Sequence, residues 1–432
     1  MKEKFKIGLA LSGGGYRAAA FHLGVFRKLN EMKILENLDV ISTISGGSII
    51  GTYYALNKGD FENFEKSFTQ KLQKSCIRKI LLSTRFLTTS IILLGYVSFL
   101  LFDPLNLQLP KWLVNCLLLV LVVLLFIFPF KIFPLTKLKI KAYKSIFFGK
   151  STISDLPSKP LLAINATNLS TGTLFTFSRR KCSDSSYEYI KDGGKPIGFN
   201  CSKMPVAIAV ASSTCVPVPF GPVEIDRIYF ESEKDKFRVK PKLIDGGLYD
   251  NQGIHKLTQK NSTYSCDILI VSDGSQPFTG NFLSFNTVFI LYRALDVMMR
   301  KIKNLQFIRD VYSADKEIAY FSLNWKYKSC LVEFVRAAKN NQISQIVLDY
   351  HEVDEDKLNL SIEELYDYLS KKIGLTEIIK NGLIDEQIDE ISRVGTNLTA
   401  LKKETITRLS THGEVLTEIL IKLYCPTLAK LL

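Results

Sequence analysis

Residues 6–17, KIGLALSGGGYR, run from a short apolar segment straight into three glycines and then a helix-forming stretch. Residues 38–48, LDVISTISGGS, repeat the plan with Ser-Gly-Gly at the junction, and a helix is expected from there through Leu56. Residues 242–248, KLIDGGL, end a third strand-like run on a carboxylate and two glycines. Further buried strands are expected at 161–165 and 267–271, and helices at 17–30 and across 361–423. Residues 282–311 have helical apolar spacing that turns Arg293, Arg300 and Lys303 outward. Strands that alternate with helices predict an α/β fold: a three-layer sandwich around a mostly parallel central sheet covered on both faces.

The glycine-rich junctions carry the chemistry. Gly13, Gly14 and Gly15 let backbone N–H groups converge on an anion at a helix start. Gly13-x-Gly15-x-x-Ala18 also fits a loose dinucleotide fingerprint, with Glu36 or Asp39 as ribose partner, and the loop is equally a plain turn. A P-loop is excluded, because no Gly-Lys-Ser/Thr follows. Ser45, at the second bend, suits a nucleophile elbow, although Thr43 stands where a glycine is usual. A helix-capping serine is the plainer reading, and Ser48 is a rival for either role. The Asp245-Gly246-Gly247 stretch by itself is a plain turn as readily as a site; taken with the other two, Asp245 at the end of a parallel strand is expected to point into the same crevice.

A serine nucleophile needs a base. The chain has four histidines. His22 falls inside the first helix, His351 and His412 fall in charged regions expected to be exposed, and only His255 lies near a motif. This shortage predicts a Ser–Asp dyad with Asp245 as base, its pKa raised by burial. No metal or other cofactor is expected: there is no EF-hand loop, no H-E-x-x-H and no Cys/His cluster. The eight cysteines are scattered and read as reduced, buried hydrophobes.

The net charge of +14 is local. Residues 66–150 hold thirteen basic residues and one acid, Asp103. They flank two charge-free runs, 86–102 and 112–130, separated by a nine-residue connection with two prolines. The runs approach bilayer length, so a membrane hairpin over 86–130 is expected, and a nucleic-acid partner is not. The positive-inside rule puts the rest of the chain in the cytoplasm, against a membrane of the bacterial inner-membrane kind.

Five segments together resemble the patatin-like phospholipases, and SGGGYR and SGGS are also similar to the related cytosolic phospholipase A family. They are 12–29 (SGGGYRAAAFHLGVFRKL), 41–51 (ISTISGGSIIG), 163–172 (AINATNLSTG), 211–223 (ASSTCVPVPFGPV) and 244–254 (IDGGLYDNQGI). The resemblance implies a lipid acyl hydrolase acting on membrane phospholipid. Ser45 would be nucleophile, Asp245 its base, Gly13, Gly14 and Gly15 the oxyanion donors, and Arg17 a substrate-binding residue. Thr43, Ala18 and Asp250-Asn251-Gln252 depart from the family pattern. The implied organisation is a catalytic domain in two parts, 1–66 and 151–330, with the membrane insertion at 67–150 and a mostly helical region at 331–432. An acyltransferase with the same acyl-enzyme, or a non-catalytic membrane scaffold, would share these features.

Overall fold

The computed structural model describes the whole chain apart from residues 1–4, 103, 106, 190–194, 279, 281–284, 312–315 and 431–432. Among the described residues nine strands form one mixed sheet: β1 (Ile7–Leu11), β2 (Val40–Ile44), β3 (Leu161–Asn168), β4 (Thr173–Phe177), β5 (Cys182–Ser183), β6 (Val223–Glu224), β7 (Lys242–Asp245), β8 (Ile268–Asp273) and β9 (Glu317–Ser322). Its centre, β3-β2-β1-β8-β9, is parallel throughout. β4, β5, β6 and β7 add an antiparallel flap on the β3 side.

Successive side chains on a strand face opposite sides of the sheet, and here both sides are apolar. Leu9, Leu11, Ile41, Ile268 and Ile270 enter the large core. Ala10, Val40, Leu269 and Val271 enter a smaller cluster, closed by Ile254 and Leu257. The expected three layers are therefore unequal. Helices α1 (Gly15–Glu31) and α2 (Gly46–Leu56) join the long helix Lys403–Tyr424 over the first face. The Lys403–Tyr424 helix and α1 meet where glycine lets the backbones touch: a Cβ at Gly24 would lie 1.7 Å from the Ser410 carbonyl oxygen.

The 86–130 region forms helices Thr84–Phe102 and Lys111–Ile127, which contact each other. Among the described residues only Thr84–Phe102 is long and apolar enough to cross a membrane. The second expected run stops short because Pro129 cannot continue a helix and opens a separate turn, Pro129–Ile132. Asp103 and Asn106, in the expected turn, lie outside the described residues. Side chains along both helices are largely exposed, for example Ile91, Leu94, Leu119 and Phe126.

The helix expected over 282–311 runs Thr287–Gln306, and residues 282–284 lie outside the described residues. Its orientation departs from the expected one in part: Arg300 is exposed as expected, while Arg293 and Lys303 are half-buried. Arg293, Arg300 and Lys303 line a cleft, while Leu291, Met298 and Leu305 face outward. The buried Asp273 carboxylate pairs with Lys303 and holds that side chain inward.

Candidate active site

β1 and β2 are parallel neighbours, so the loops after them open on one edge of the sheet. Ser45 stands between β2 and α2 at φ 46°, ψ −113°. Such a conformation costs on the order of 1–3 kcal/mol and persists only where the surroundings hold it. Here they do. A Cβ at Gly46 would lie 2.3 Å from the Gly15 carbonyl oxygen, and one at Gly47 2.3 Å from that of Leu11. Thr43 fits in place of a glycine because a glycine stands opposite it: a Cβ at Gly51 would lie 2.6 Å from the Thr43 methyl.

Asp245 arrives from the other direction. β7 is antiparallel to β3, not parallel as expected, with Asp245 beside Ala166. β3 extends past the end of β2, whose Ile44 pairs with Asn165. That overhang carries β7 and delivers its last residue to the bend. The Ser45 hydroxyl donates to Asp245 Oδ2 at 2.8 Å, and the Gly247 N–H donates to Oδ1 at 2.8 Å. Burial pushes the Asp245 carboxyl up to about 6, opposed by the Gly247 N–H, the Ser45 hydroxyl and the charge of Lys139.

Ser48 is fully buried and donates to Thr43 Oγ1 at 3.0 Å, which donates to the Ala163 carbonyl at 3.1 Å. Its oxygen pairs with Ser213 Oγ at 2.8 Å, and Ser213 Oγ accepts the Ser45 N–H at 2.9 Å. Ser48 thus braces the bend from behind, and Ser45 faces the cleft. Ser213 was missed from sequence. It sits in the quoted 211–223 segment, but nothing in that segment singles it out.

The glycine loop lies beside Ser45. Gly14 and Gly15 have φ of 138° and 62°, a region that favours glycine. The Gly13 N–H is already engaged by the Asn251 carbonyl at 2.9 Å. Among the described residues the N–H groups of Gly14 and Gly15 have no acceptor. Asn251, noted in sequence only as a departure, therefore anchors the loop.

Arg17 is fully buried against the cleft wall. Its Nε and Nη2 donate to the Gly274 carbonyl at 3.2 and 3.1 Å, and Nη1 to that of Val394 at 2.6 Å. Burial lowers its guanidinium to about 10, with Asp273 opposing, so it stays charged at neutral pH. Those donors hold the protein's own backbone, which makes Arg17 a brace beneath the glycine loop.

No histidine among the described residues hydrogen-bonds to Ser45 or Asp245. His22 bonds Ser272 Oγ and the Ser12 carbonyl, and burial lowers it to about 4. The His255 ring meets Tyr249. His351 and His412, expected to be exposed, are wholly buried. His351 sits in the turn after the Gln345–Tyr350 helix beside exposed Glu352 and Asp354, and His412 lies within the Lys403–Tyr424 helix; their rings reach the carbonyls of Leu423 and Leu323. Among the described residues no group of three His, Cys, Asp or Glu side chains is placed to hold a metal ion.

Ser45 and Asp245 open on a cleft of about 310 Å³, walled by Val216, Pro217 and the Thr287–Gln306 helix. A larger cavity, about 600 Å³, lies beside β9 around Tyr320 and Trp325, and neither Ser45 nor Asp245 lines it.

A family model described as patatin-like phospholipase matches residues 9–258, more than half of the chain. The protein belongs to the patatin-like phospholipase family. The match takes in the glycine loop, Ser45 and Asp245 of this patatin-like chain. No curated protein sequence matches it. Human GIVD cytosolic phospholipase A2 is similar at 14% identity and TM-score 0.48, over 99% of this chain and 60% of that one. VipD from Legionella pneumophila is similar at 14% identity and TM-score 0.31, over 96% of this chain and 92% of that one. The patatin-like chain thus spans about three fifths of the human protein's length. The assignment rests on the family match.

Proposed function

We propose that this protein is a membrane-anchored lipid acyl hydrolase that works through a Ser45–Asp245 dyad. The observation that carries the reading is the 2.8 Å hydrogen bond from Ser45 to Asp245 at a strained bend. A carboxylate lifted to about 6 is a stronger base than an exposed aspartate, yet is deprotonated at neutral pH. Asp245 takes the Ser45 proton as Oγ bonds to the ester carbonyl carbon. The N–H groups of Gly14 and Gly15 receive the oxyanion; one such donor is commonly worth about 3 kcal/mol. The C–O bond to the alcohol breaks, and that oxygen takes the proton from Asp245. Water, deprotonated by Asp245, then adds to the acyl carbon; the bond to Ser45 Oγ breaks, and Oγ takes the proton back from Asp245.

The finer part of the proposal concerns the bilayer. The exposed apolar helices Thr84–Phe102 and Lys111–Ile127 anchor the protein, with the cleft on the cytoplasmic side. Support comes from the ground beneath them. Phe130 packs against Gly221, and Thr136 Oγ1 donates to the Gly221 carbonyl at 2.7 Å. Val216 and Pro217 of that same loop wall the cleft. The anchor therefore rises beside the cleft mouth, where lipid enters.

The test is labelling by a fluorophosphonate, together with release of fatty acid from phospholipid vesicles. Wild type is labelled on Ser45 and releases fatty acid; Ser45→Ala does neither. Wild-type protein that resists the label and leaves the vesicles intact would falsify the proposal.

A further inference from the structure

Asn251 lines the cleft together with Ser45 and Asp245. Its backbone carbonyl holds the Gly13 N–H at 2.9 Å, but among the described residues neither end of its side-chain amide has a hydrogen-bond partner. The backbone on either side is fixed. The buried Asp250 carboxylate accepts the N–H groups of Gln252, Gly253 and His255 at 3.1, 3.0 and 2.8 Å. Those bonds pin the turn that follows the short helix Gly247–Asp250, and a pinned turn presents the amide in one place.

The amide oxygen faces the dyad. Asn251 Oδ1 and Ser45 Cβ both lie within 3.2 Å of the point where a Cβ on Gly13 would sit. Asn251 Oδ1 and Asp245 Oδ1 both lie within 3.0 Å of the equivalent point on Gly247. Two glycines thus leave open the space that this oxygen shares with the proposed nucleophile and base. An amide oxygen can only accept a hydrogen bond. In acylation the ester brings it none, because neither ester oxygen carries a hydrogen. In deacylation the Ser45 oxygen is esterified, which frees Asp245 Oδ2 for the attacking molecule. Water has two hydrogens, one for Asp245 and one for Asn251 Oδ1, and keeps a lone pair for the acyl carbon. An alcohol has a single hydroxyl hydrogen, which Asp245 must take, so Asn251 Oδ1 stays unpaired. A site built around a hydrogen bond discriminates against a reactant that cannot make it.

We infer that Asn251 Oδ1 positions the water that cleaves the acyl-enzyme and thereby selects water over an alcohol as acyl acceptor. The inference rests on the hydrolase reading and narrows it: of hydrolysis and acyl transfer, the two acyl-enzyme chemistries that the sequence leaves open, this loop favours hydrolysis. The water oxygen bonds to the acyl carbon as one proton passes to Asp245. The bond from that carbon to Ser45 Oγ breaks, and Oγ takes the proton. The second hydrogen stays on the released acid, held by Asn251 Oδ1 throughout.

The test uses para-nitrophenyl butyrate in water that contains methanol. Nitrophenolate leaves without a proton from Asp245, so deacylation limits turnover, and one acyl-enzyme divides between butyric acid and methyl butyrate. That product ratio does not depend on how much of the protein is folded. Asn251→Leu, and the smaller Asn251→Ala, should raise the ester-to-acid ratio about fivefold, the worth of one hydrogen bond. Both should lower kcat and KM together and leave kcat/KM, which reports acylation, within about twofold of wild type. Asn251→Asp keeps an acceptor oxygen and, assayed at alkaline pH where Asp245 is deprotonated, should hold the ratio near the wild-type value. An unchanged ratio in the Leu and Ala variants, or a fall in kcat/KM at unchanged KM, overturns the inference and leaves the hydrolase reading intact. Wild type that forms neither acid nor methyl ester and resists the fluorophosphonate overturns the hydrolase reading and this inference with it.

Discussion

The Lys139 ammonium, wholly buried, donates to the carbonyl of Thr214 at 2.9 Å. It also lies 4.1 Å from the centre of the Phe220 ring. The next carbonyl, of Cys215, accepts the Asp245 N–H at 2.9 Å. A cation from the helix that follows the apolar pair is thereby tied to the strand end that holds the proposed base. Burial lowers the Lys139 pKa, while Cys215, Asp245 and Cys76 oppose that.

The charge of Lys139 holds the Asp245 carboxyl down against burial. Lys139→Met should therefore raise the Asp245 pKa further and move the acid limb of kcat/KM to higher pH. Lys139→Arg should move it less. A pH–rate profile on a monomeric ester checks this; an unmoved limb in folded Lys139→Met would remove Lys139 from the electrostatics of the site.

Asp245 must be deprotonated to act as base, and its folded pKa of about 6 stands above the usual carboxylate value. Activity should rise with pH and reach half its plateau near pH 6. The linkage for stability has the opposite slope. Between the unfolded value near 3.8 and the folded value near 6, the folded state binds more protons at Asp245. This carboxyl's contribution to stability therefore falls as pH rises through that window. Asp245→Asn should flatten that slope in thermal melts and cut kcat on the order of 10³-fold or more.

Thr43 and Gly51 should behave as a pair. Gly51→Ala places a methyl against the Thr43 methyl and should cost about 1–3 kcal/mol by overpacking. Thr43→Ser removes that methyl and keeps the hydroxyl that donates to Ala163. The double variant should recover much of the loss, read as a melting-temperature cycle. Additive penalties would mean that the two positions do not share space.

Deleting 86–127 should shift the protein from the membrane fraction toward the soluble one. Phe130 is retained because it packs on Gly221. Hydrolysis of dispersed short-chain esters should fall much less than hydrolysis of vesicles. Extraction of the intact protein by alkaline carbonate would count against an integral anchor. Labelling of cysteines placed at Lys79 and Lys141 on opposite sides of the membrane would count against two spans.

The sequence by itself determined the local steps. Apolar runs that end in glycine, at 6–17 and 38–48, produced β1–α1 and β2–α2, because a tight strand–helix junction has no room for side chains. The same junctions nominated Ser45, and the scarcity of histidine nominated Asp245. What the tertiary structure decided concerns direction and partners. β7 approaches antiparallel on the β3 overhang, a pairing across more than seventy residues that no local pattern encodes. Gly51 accommodates Thr43, Asn251 consumes the Gly13 N–H, and Arg17 serves backbone carbonyls. Helical apolar spacing located the Thr287–Gln306 helix but not which face turns inward. Periodicity fixes only the relative positions of side chains on a helix, and the pairing of Lys303 with buried Asp273 is a tertiary contact that no local pattern encodes. His412 follows the same rule, since its helix turns Glu404 outward and the histidine to the core, whereas His351 is carried inward by a turn whose next residue, Glu352, is exposed.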